Sequence, residues 1–245
     1  MNSIYKKKRD EFEFLHDWIE YNSKENSKLQ TLEEWGEIKW KSMKNAFDGC
    51  KNLTYNATDI PNLTEVKNMS YMFFLCKKFD GNTTINNWNT SKVTDMSGVF
   101  HTASSFNQPI GKWNTQNVTN MGIMFDTASS FNQPIENWNT QKVTNMSSMF
   151  SAATSFNQPI GNWDTQNVTN MSFMFYEATS FNQPIGNWNT QNVTDMTSIF
   201  LRASSFIQST NQQLEHTKCN WYGRNVSYSN FIQSTYRKLE YFKCN

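Results

Sequence analysis

The sequence predicts an α/β repeat fold, a solenoid of short parallel strands and short helices with an N-terminal helical cap. The main observation is a period of 25 residues, at which tryptophan, valine, methionine and phenylalanine recur. The tryptophans are Trp88, Trp113, Trp138, Trp163 and Trp188. A fixed period of roughly 20–50 residues is typical of proteins in which one supersecondary unit stacks on copies of itself. The chain therefore divides into a helical cap at 1–42, the repeats at 43–206 and an aberrant tail at 207–245.

Each repeat begins with a segment that has the pattern of a short amphipathic helix. In the copy that begins at Met96, apolar residues stand at i, i+3, i+4 and i+7, namely Met96, Val99, Phe100 and Ala103. Asp95 directly precedes this segment, and asparagine or aspartate holds the same place in later copies. Because these side chains accept hydrogen bonds from the free N–H groups of a first helical turn, we expect a helix of about two turns here.

The second half of each repeat has the pattern of a short strand followed by a return turn. Phe106 and Ile110 are apolar, and Pro109 cannot donate to a strand ladder, so it is expected where a strand starts. Trp113 and Val118 are expected to turn inward. The predicted core of one repeat is Met96, Val99, Phe100, Ala103, Phe106, Ile110, Trp113 and Val118.

The N-terminal segment predicts two helices that cover the first repeat. One apolar stripe at helical spacing consists of Phe12, Leu15, Trp18 and Ile19. A second helix is expected to begin at the capping box formed by Thr31 and Glu34, with Leu32, Trp35 and Ile38 on one face. Solenoids require such protection at their ends. The alternative for this segment is a separate binding module.

Residues 207–245 lose the residues of the repeat but keep its period. Phe-Ile-Gln-Ser-Thr at 206–210 recurs at 231–235, and Lys-Cys-Asn at 218–220 recurs at 243–245. Codons that the genetic code allows for this tail, read one base out of phase, spell the repeat's Asn-Gln-Pro-Ile and Trp-Asn-Thr elements. We therefore interpret the tail as an out-of-frame translation of further repeats, and a genuine C-terminal element is the alternative.

Composition and charge argue against nucleic-acid binding and membrane insertion. The formal net charge is +1 and only 18% of residues are charged, whereas nucleic-acid binders usually carry a strong basic patch. The basic run at 6–9 is followed by acidic residues and not by the apolar stretch of a signal peptide. No apolar run approaches the ~18 residues that a membrane helix needs. The absence of a signal-peptide pattern favours an intracellular location by default.

The titratable residues predict no catalytic, cofactor or metal site. The three histidines, His16, His101 and His216, stand near no recurring pair of carboxylates, and His101 occupies a variable surface position. Cys50 and Cys76 hold a place that later repeats give to alanine, which indicates small buried apolar residues. Stacked neighbours could pair, but without an export signal the thiol form is favoured. We therefore expect a protein that is not an enzyme and has no cofactor.

The repeat resembles a known bacterial family. The pattern Val-Thr-Asn-Met-x-x-Met-Phe-x-x-Ala-x-Ser-Phe-Asn-Gln-Pro-Ile-Gly-x-Trp-Asn-Thr is similar to the bacterial surface-protein repeat of about 25 residues, related to BspA-like leucine-rich repeats. The segments 47–50 and 73–76 resemble the Ala-Phe-x-x-Cys signature of that family, and Phe106 and Ile110 stand where it places strand leucines. The resemblance covers 43–206 and implies a leucine-rich-repeat-like solenoid. It also implies a cell-surface or adhesion role.

The function expected from these features is a non-enzymatic scaffold for protein–protein interaction or adhesion. The positions on the predicted helix side vary between copies, whereas the strand side is nearly uniform. The partner is expected to be a protein or a repetitive surface ligand, and self-association is a further candidate. An alternative is binding of a periodic glycan or surface through Asn ladders and the Thr ladder Thr90, Thr115, Thr140, Thr165 and Thr190. Another is a decaying repeat gene without function.

Overall fold

The computed structural model describes residues 29–206, in which successive copies of the repeat are joined by backbone hydrogen bonds. Two short strands pair in parallel, β1 at Thr31–Leu32 and β2 at Thr54–Tyr55. A 3-10 helix at Thr83–Asn87 accommodates the two extra residues of the second repeat. The rest of the described residues form turns, irregular segments and isolated bridges, with no α-helix among them. The predicted solenoid of short strands and helices is therefore wrong.

The segment predicted as a helix is a run of tight turns. In the copy that begins at Met146, the N–H groups of Met149 and Ser151 donate to the carbonyl three residues earlier, at 3.2 and 3.1 Å. The N–H groups of Ser148 and Ala152 donate instead to the next copy, at 2.7 and 2.6 Å. Ser148 and Ala152 also have φ angles of 52° and 51°, which a right-handed helix does not contain.

Hydrogen bonds between copies explain why the helical pattern fails. An isolated helix of about eight residues is marginal in water, because helix nucleation is costly. Bonding alternate N–H groups to the next copy satisfies the same donors and joins the repeats. No helix follows Asn145, but its side chain still accepts a backbone N–H at the start of the turns, from Ser147 at 3.0 Å. In the last described copy the Thr197 N–H bonds the equivalent carboxylate and lowers the pKa of Asp195.

The strand predicted at Pro109 and Ile110 is also wrong, because side-chain amides take over the pairing there. The Asn132 side-chain oxygen accepts the Asn157 N–H at 3.0 Å and the Gln158 amide at 3.0 Å. The four copies that have a proline here, at Pro109, Pro134, Pro159 and Pro184, have no N–H at that residue to add to a ladder. From Asn68 onward, parallel pairing in the described residues is limited to isolated bridges at one residue in each copy, at Asn68, Asp95, Asn120, Asn145, Asn170 and Asp195.

The predicted core is confirmed by burial. In the copy that begins at Met121, the eight expected positions are at most 3% exposed: Met121, Met124, Phe125, Ala128, Phe131, Ile135, Trp138 and Val143. The rings stack within and between copies, with 4.0 Å between the centroids of Phe125 and Phe131 and 5.6 Å between Phe125 and Phe150. Burying one such side chain contributes roughly 1.5–3 kcal/mol, so these aromatic columns account for much of the stability.

The predicted helical cap is wrong where the structure describes it. Thr31 and Leu32, expected at the start of a helix, form β1 and pair in register with Thr54 and Tyr55. Trp35 then packs edge-to-face on Trp88 at 5.4 Å, so this segment continues the aromatic core. Pairing with β2 satisfies the backbone groups that a helix would have satisfied internally. The apolar stripe predicted at residues 12–19 and the tail at 207–245 lie outside the described residues.

Candidate interaction face

The side chains that distinguish one copy from the next lie together on the run of tight turns. We call the third, sixth and seventh positions of the six copies that begin at Met69, Met96, Met121, Met146, Met171 and Met196, counted from the methionine, the turn face. The third positions are Tyr71, Gly98, Ile123, Ser148, Phe173 and Ser198. The sixth and seventh are Phe74-Leu75, His101-Thr102, Asp126-Thr127, Ser151-Ala152, Tyr176-Glu177 and Leu201-Arg202. In the copies from Met96 onward, the remaining described surface repeats nearly the same Ser, Asn, Gln and Thr residues, with isolated charged exceptions such as Lys112, Glu136 and Lys142. The differences between copies are therefore concentrated on this face.

An aromatic cluster lies on the turn face near the start of the repeats. Phe74 packs edge-to-face on Tyr71 at 5.7 Å and stacks on the His101 ring at 4.7 Å. The His101 Nδ1 lies 3.4 Å from a carboxylate oxygen of Asp126 in the next copy. Gly98 leaves room for the Tyr71 ring, since a Cβ there would come within 2.8 Å of it. Three consecutive copies therefore contribute to one ordered cluster.

A second cluster lies on the same face near the end of the described residues. The Phe173 ring is 39% exposed and packs edge-to-face on Tyr176 at 6.0 Å. The Arg202 guanidinium lies 5.9 Å from the centre of the Tyr176 ring and bonds the Glu177 carboxylate at 2.5 Å. This hydrogen bond lowers the pKa of Glu177 and raises the pKa of Arg202. The side-chain hydrogen bond with Glu177 is the largest cause that raises the pKa of Tyr176. The cluster presents an exposed aromatic ring beside fixed opposite charges.

The Thr ladder expected to contact a periodic ligand is buried. Thr90, Thr115, Thr140, Thr165 and Thr190 are each at most 3% exposed. The Thr140 hydroxyl, for example, donates to the Asp164 carbonyl of the next copy at 2.9 Å. A different column is exposed: Thr94, Thr119, Thr144, Thr169 and Thr194. These hydroxyls donate to the carbonyl of the preceding copy, as Thr144 does to Thr119 at 3.2 Å, so their side chains share one orientation.

Within 29–206, no three histidine, cysteine or acidic side chains converge on a point that could hold a metal ion. His101 is the one histidine in this range, and His16 and His216 lie outside it. His101 was expected at the surface, but its contact with Asp126 was not predicted. Their separation by one period of 25 residues is the pattern that could have revealed the pair.

Comparison with known proteins shows the family. The family described as "Mycoplasma protein of unknown function, DUF285" matches residues 41–143 and again residues 133–233. The two matches together cover more than half of the chain. The chain belongs to the DUF285 family. No curated protein and no solved structure matches it. DUF285 is a family of unknown function.

The DUF285 matches cover all the copies that contribute to the turn face. The first match begins at residue 41, ahead of Tyr71, and the second extends beyond Arg202 to residue 233. In the part of the chain that the structure describes, no helix is long and apolar enough to cross a bilayer.

Proposed function

We propose that this DUF285 chain is a non-enzymatic repeat scaffold that binds a protein partner through the turn face. The observation that carries the proposal is the concentration of differences between copies on that face, including both aromatic clusters. A uniform stack needs the same residue at each position, so residues that depart from the pattern indicate a role other than stacking. If the protein partner is attached to another cell or surface, the same binding would result in adhesion.

The Phe173 cluster supplies the strongest anchor for a partner. Aromatic and arginine side chains are enriched among the residues that dominate protein–protein binding energy. Phe173 is exposed, Tyr176 supports its edge, and Arg202 is held by Glu177, so little ordering is required on binding. The charged pair beside the ring supplies the polar rim that protein interfaces usually have.

Site-directed photo-crosslinking tests the proposal. A photoreactive phenylalanine analogue replaces Phe173 in one full-length chain and the exposed Gln166, on the uniform surface, in another. Illumination in cells that express the protein is expected to give a discrete adduct with a protein from position 173 and none from 166. Adducts from both positions alike, or from neither, would contradict a protein site on this face. An adduct with a second copy of the chain would identify the partner as itself.

A matched pair of substitutions then tests the anchor. Phe173→Ser introduces the residue that other copies carry at this position, as at Ser148, so folding should be retained. The control is Ile60→Ser, because Ile60 is 46% exposed but lies outside the turn face. With the crosslinked partner purified, Phe173→Ser should weaken binding roughly tenfold or more, and Ile60→Ser should not. Equal effects of the two substitutions would argue against Phe173 as an anchor.

A second candidate, binding of a periodic glycan, is supported by the exposed Thr column. Its hydroxyls share one orientation, and neighbouring copies lie about 4.8 Å apart where their backbones pair, so a regular polymer could contact several at once. Insoluble cellulose and chitin are the probes. Replacing Thr119, Thr144 and Thr169 together with lysine should abolish co-sedimentation with either polymer. If the unaltered chain fails to sediment with both, this candidate is wrong for these glycans.

A further inference from the structure

Two cysteines occupy one column of the core in consecutive copies. Cys50 and Cys76 hold the eighth position of the first two repeats and are 2% and 0% exposed, both as free thiols. Alanine takes this position in the later copies, at Ala103, Ala128, Ala153, Ala178 and Ala203. The column therefore tolerates a methyl group, and packing alone does not require sulfur there.

The backbone brings these two cysteines within the range of a disulfide. On one side of Cys50, the Gly49 N–H donates to the Phe74 carbonyl at 2.9 Å. On the other side, the Lys78 N–H donates to the Lys51 carbonyl at 3.2 Å. Chains joined in this way lie about 4.8 Å apart, and disulfides usually join Cα atoms ~4.4–6.8 Å apart.

The sulfur of Cys76 points toward the turn that contains Cys50. Its thiol donates to the Phe47 carbonyl at 2.9 Å, and the same carbonyl accepts the Cys50 N–H at 3.1 Å. After desolvation by burial, the nearby Cys50 thiol is a further cause that raises the pKa of the Cys76 thiol. Forming a bond between them would cost only one weak S–H hydrogen bond, because a thiol is a poor donor.

We propose that Cys50 and Cys76 form a disulfide that joins the first two repeats when the chain folds in the presence of a disulfide oxidant such as oxidised glutathione. One cysteine thiolate attacks the glutathione disulfide, which forms a mixed disulfide and releases one glutathione thiol. The other cysteine then displaces the second glutathione and forms the S–S bond. Two cysteine thiols are oxidised and one glutathione disulfide is reduced to two thiols, with both protons passing to glutathione.

Burial restricts this reaction to the folding chain. In the folded protein neither sulfur is accessible, and burial raises the pKa of the Cys76 thiol well above its ordinary value. The thiolate is the reacting form, so the folded, reduced protein should react slowly with oxidants. The same burial would protect the bond from reductants once it has formed. The redox state is therefore expected to be set during folding and then retained.

Oxidative refolding of the full chain tests the proposal. The parent carries Cys219→Ser and Cys244→Ser, so that Cys50 and Cys76 are its remaining cysteines. After unfolding, it is refolded with a mixture of oxidised and reduced glutathione, or with a reductant alone, and digested without reduction. Mass spectrometry should find the Cys50–Cys76 peptide pair only in the first sample. Closing this loop should also raise the thermal midpoint by roughly 6–12 °C over the reduced sample.

Alanine variants provide a matched control. Cys50→Ala and Cys76→Ala, each made in the same parent, place the residue of the later copies in the column and should fold. Each should have the thermal midpoint of the reduced parent, and refolding with glutathione should raise that midpoint in neither, because a single cysteine can form at most a mixed disulfide with glutathione. The proposal is overturned if the refolded parent carries only glutathione adducts or free thiols. It is also overturned if the linked parent is no more stable than these variants.

Discussion

At the scale of single residues, buried threonine hydroxyls join each copy of the repeat to the next. Thr140 is 1% exposed, and its hydroxyl donates to the Asp164 carbonyl at 2.9 Å. Four positions along the chain, Thr144 is exposed and donates to the Thr119 carbonyl, which already accepts the Thr144 N–H at 2.9 Å. Sequence reasoning could not separate the two columns, because threonine is usually at the surface and both have the same period.

Replacing each of these threonines with valine measures the difference. Thr140→Val keeps the shape but removes the buried hydroxyl that donates to the Asp164 carbonyl, so the free energy of unfolding should fall by roughly 0.5–1.5 kcal/mol. Thr144→Val removes a hydroxyl from an exposed site whose carbonyl partner keeps a backbone donor, so the change should stay within about 0.5 kcal/mol. Urea unfolding of both variants is the measurement. Similar losses in the two variants would show that the hydroxyl of Thr140 has no special role.

At the scale of the element, the run of tight turns replaces both the predicted helix and its exposed face. The apolar spacing of Met146, Met149, Phe150 and Ala153 was interpreted correctly as a buried face. The i→i−4 hydrogen bonds of a helix, which the same spacing predicted, are not formed in this segment. Apolar spacing reports which side chains are buried, whereas the partner of each N–H is decided by the neighbouring copy. The third and seventh positions of the turn face have the positive φ angles of these turns, as Ser148 and Ala152 do.

Glycine substitutions at two adjacent positions distinguish turns from a helix. Ser148 has a φ of 52°, a conformation that costs a residue with a Cβ roughly 1–3 kcal/mol, so Ser148→Gly should be neutral or stabilising. Ser147 does not have a positive φ, so Ser147→Gly should lower the free energy of unfolding by roughly 0.5–1 kcal/mol. Both glycines occur naturally at these positions, at Gly98 and Gly122. Equal losses in thermal unfolding would favour a helix and contradict the turns.

At the scale of the whole molecule, each described copy contacts mainly the copies before and after it. The stability of such a stack is close to a sum over units and their interfaces, so it grows with the number of copies. The same arrangement makes a change of reading frame tolerable for the copies upstream, because they do not depend on distant parts of the chain. The out-of-frame interpretation of residues 207–245 is therefore compatible with a folded stack at 29–206.

Sequencing the gene and transcript through codons 200–245 and beyond tests that interpretation. We expect the frame shifted by one base to encode the Asn-Gln-Pro-Ile and Trp-Asn-Thr elements of further repeats. The tail would then be an accident of translation, and the functional protein would be a longer ancestor or a recoded product. A gene that has decayed without function would show the same shift with no recoded product. If the shifted frame encodes no repeat, the tail is a genuine element, and Cys219 and Cys244 become residues to mutate.

The 25-residue period, the buried positions and the variable positions could all be predicted from the amino-acid sequence. Each depends on side-chain chemistry repeated at one spacing, which is visible without coordinates, as the aromatic columns of Phe125 and Trp138 show. Only the tertiary structure decided where the backbone N–H groups bond, which Thr column is buried, and that Phe74, His101 and Asp126 meet. These features depend on contacts between residues about one period apart, and hydrogen bonds across that distance outweigh local preferences for helix and strand.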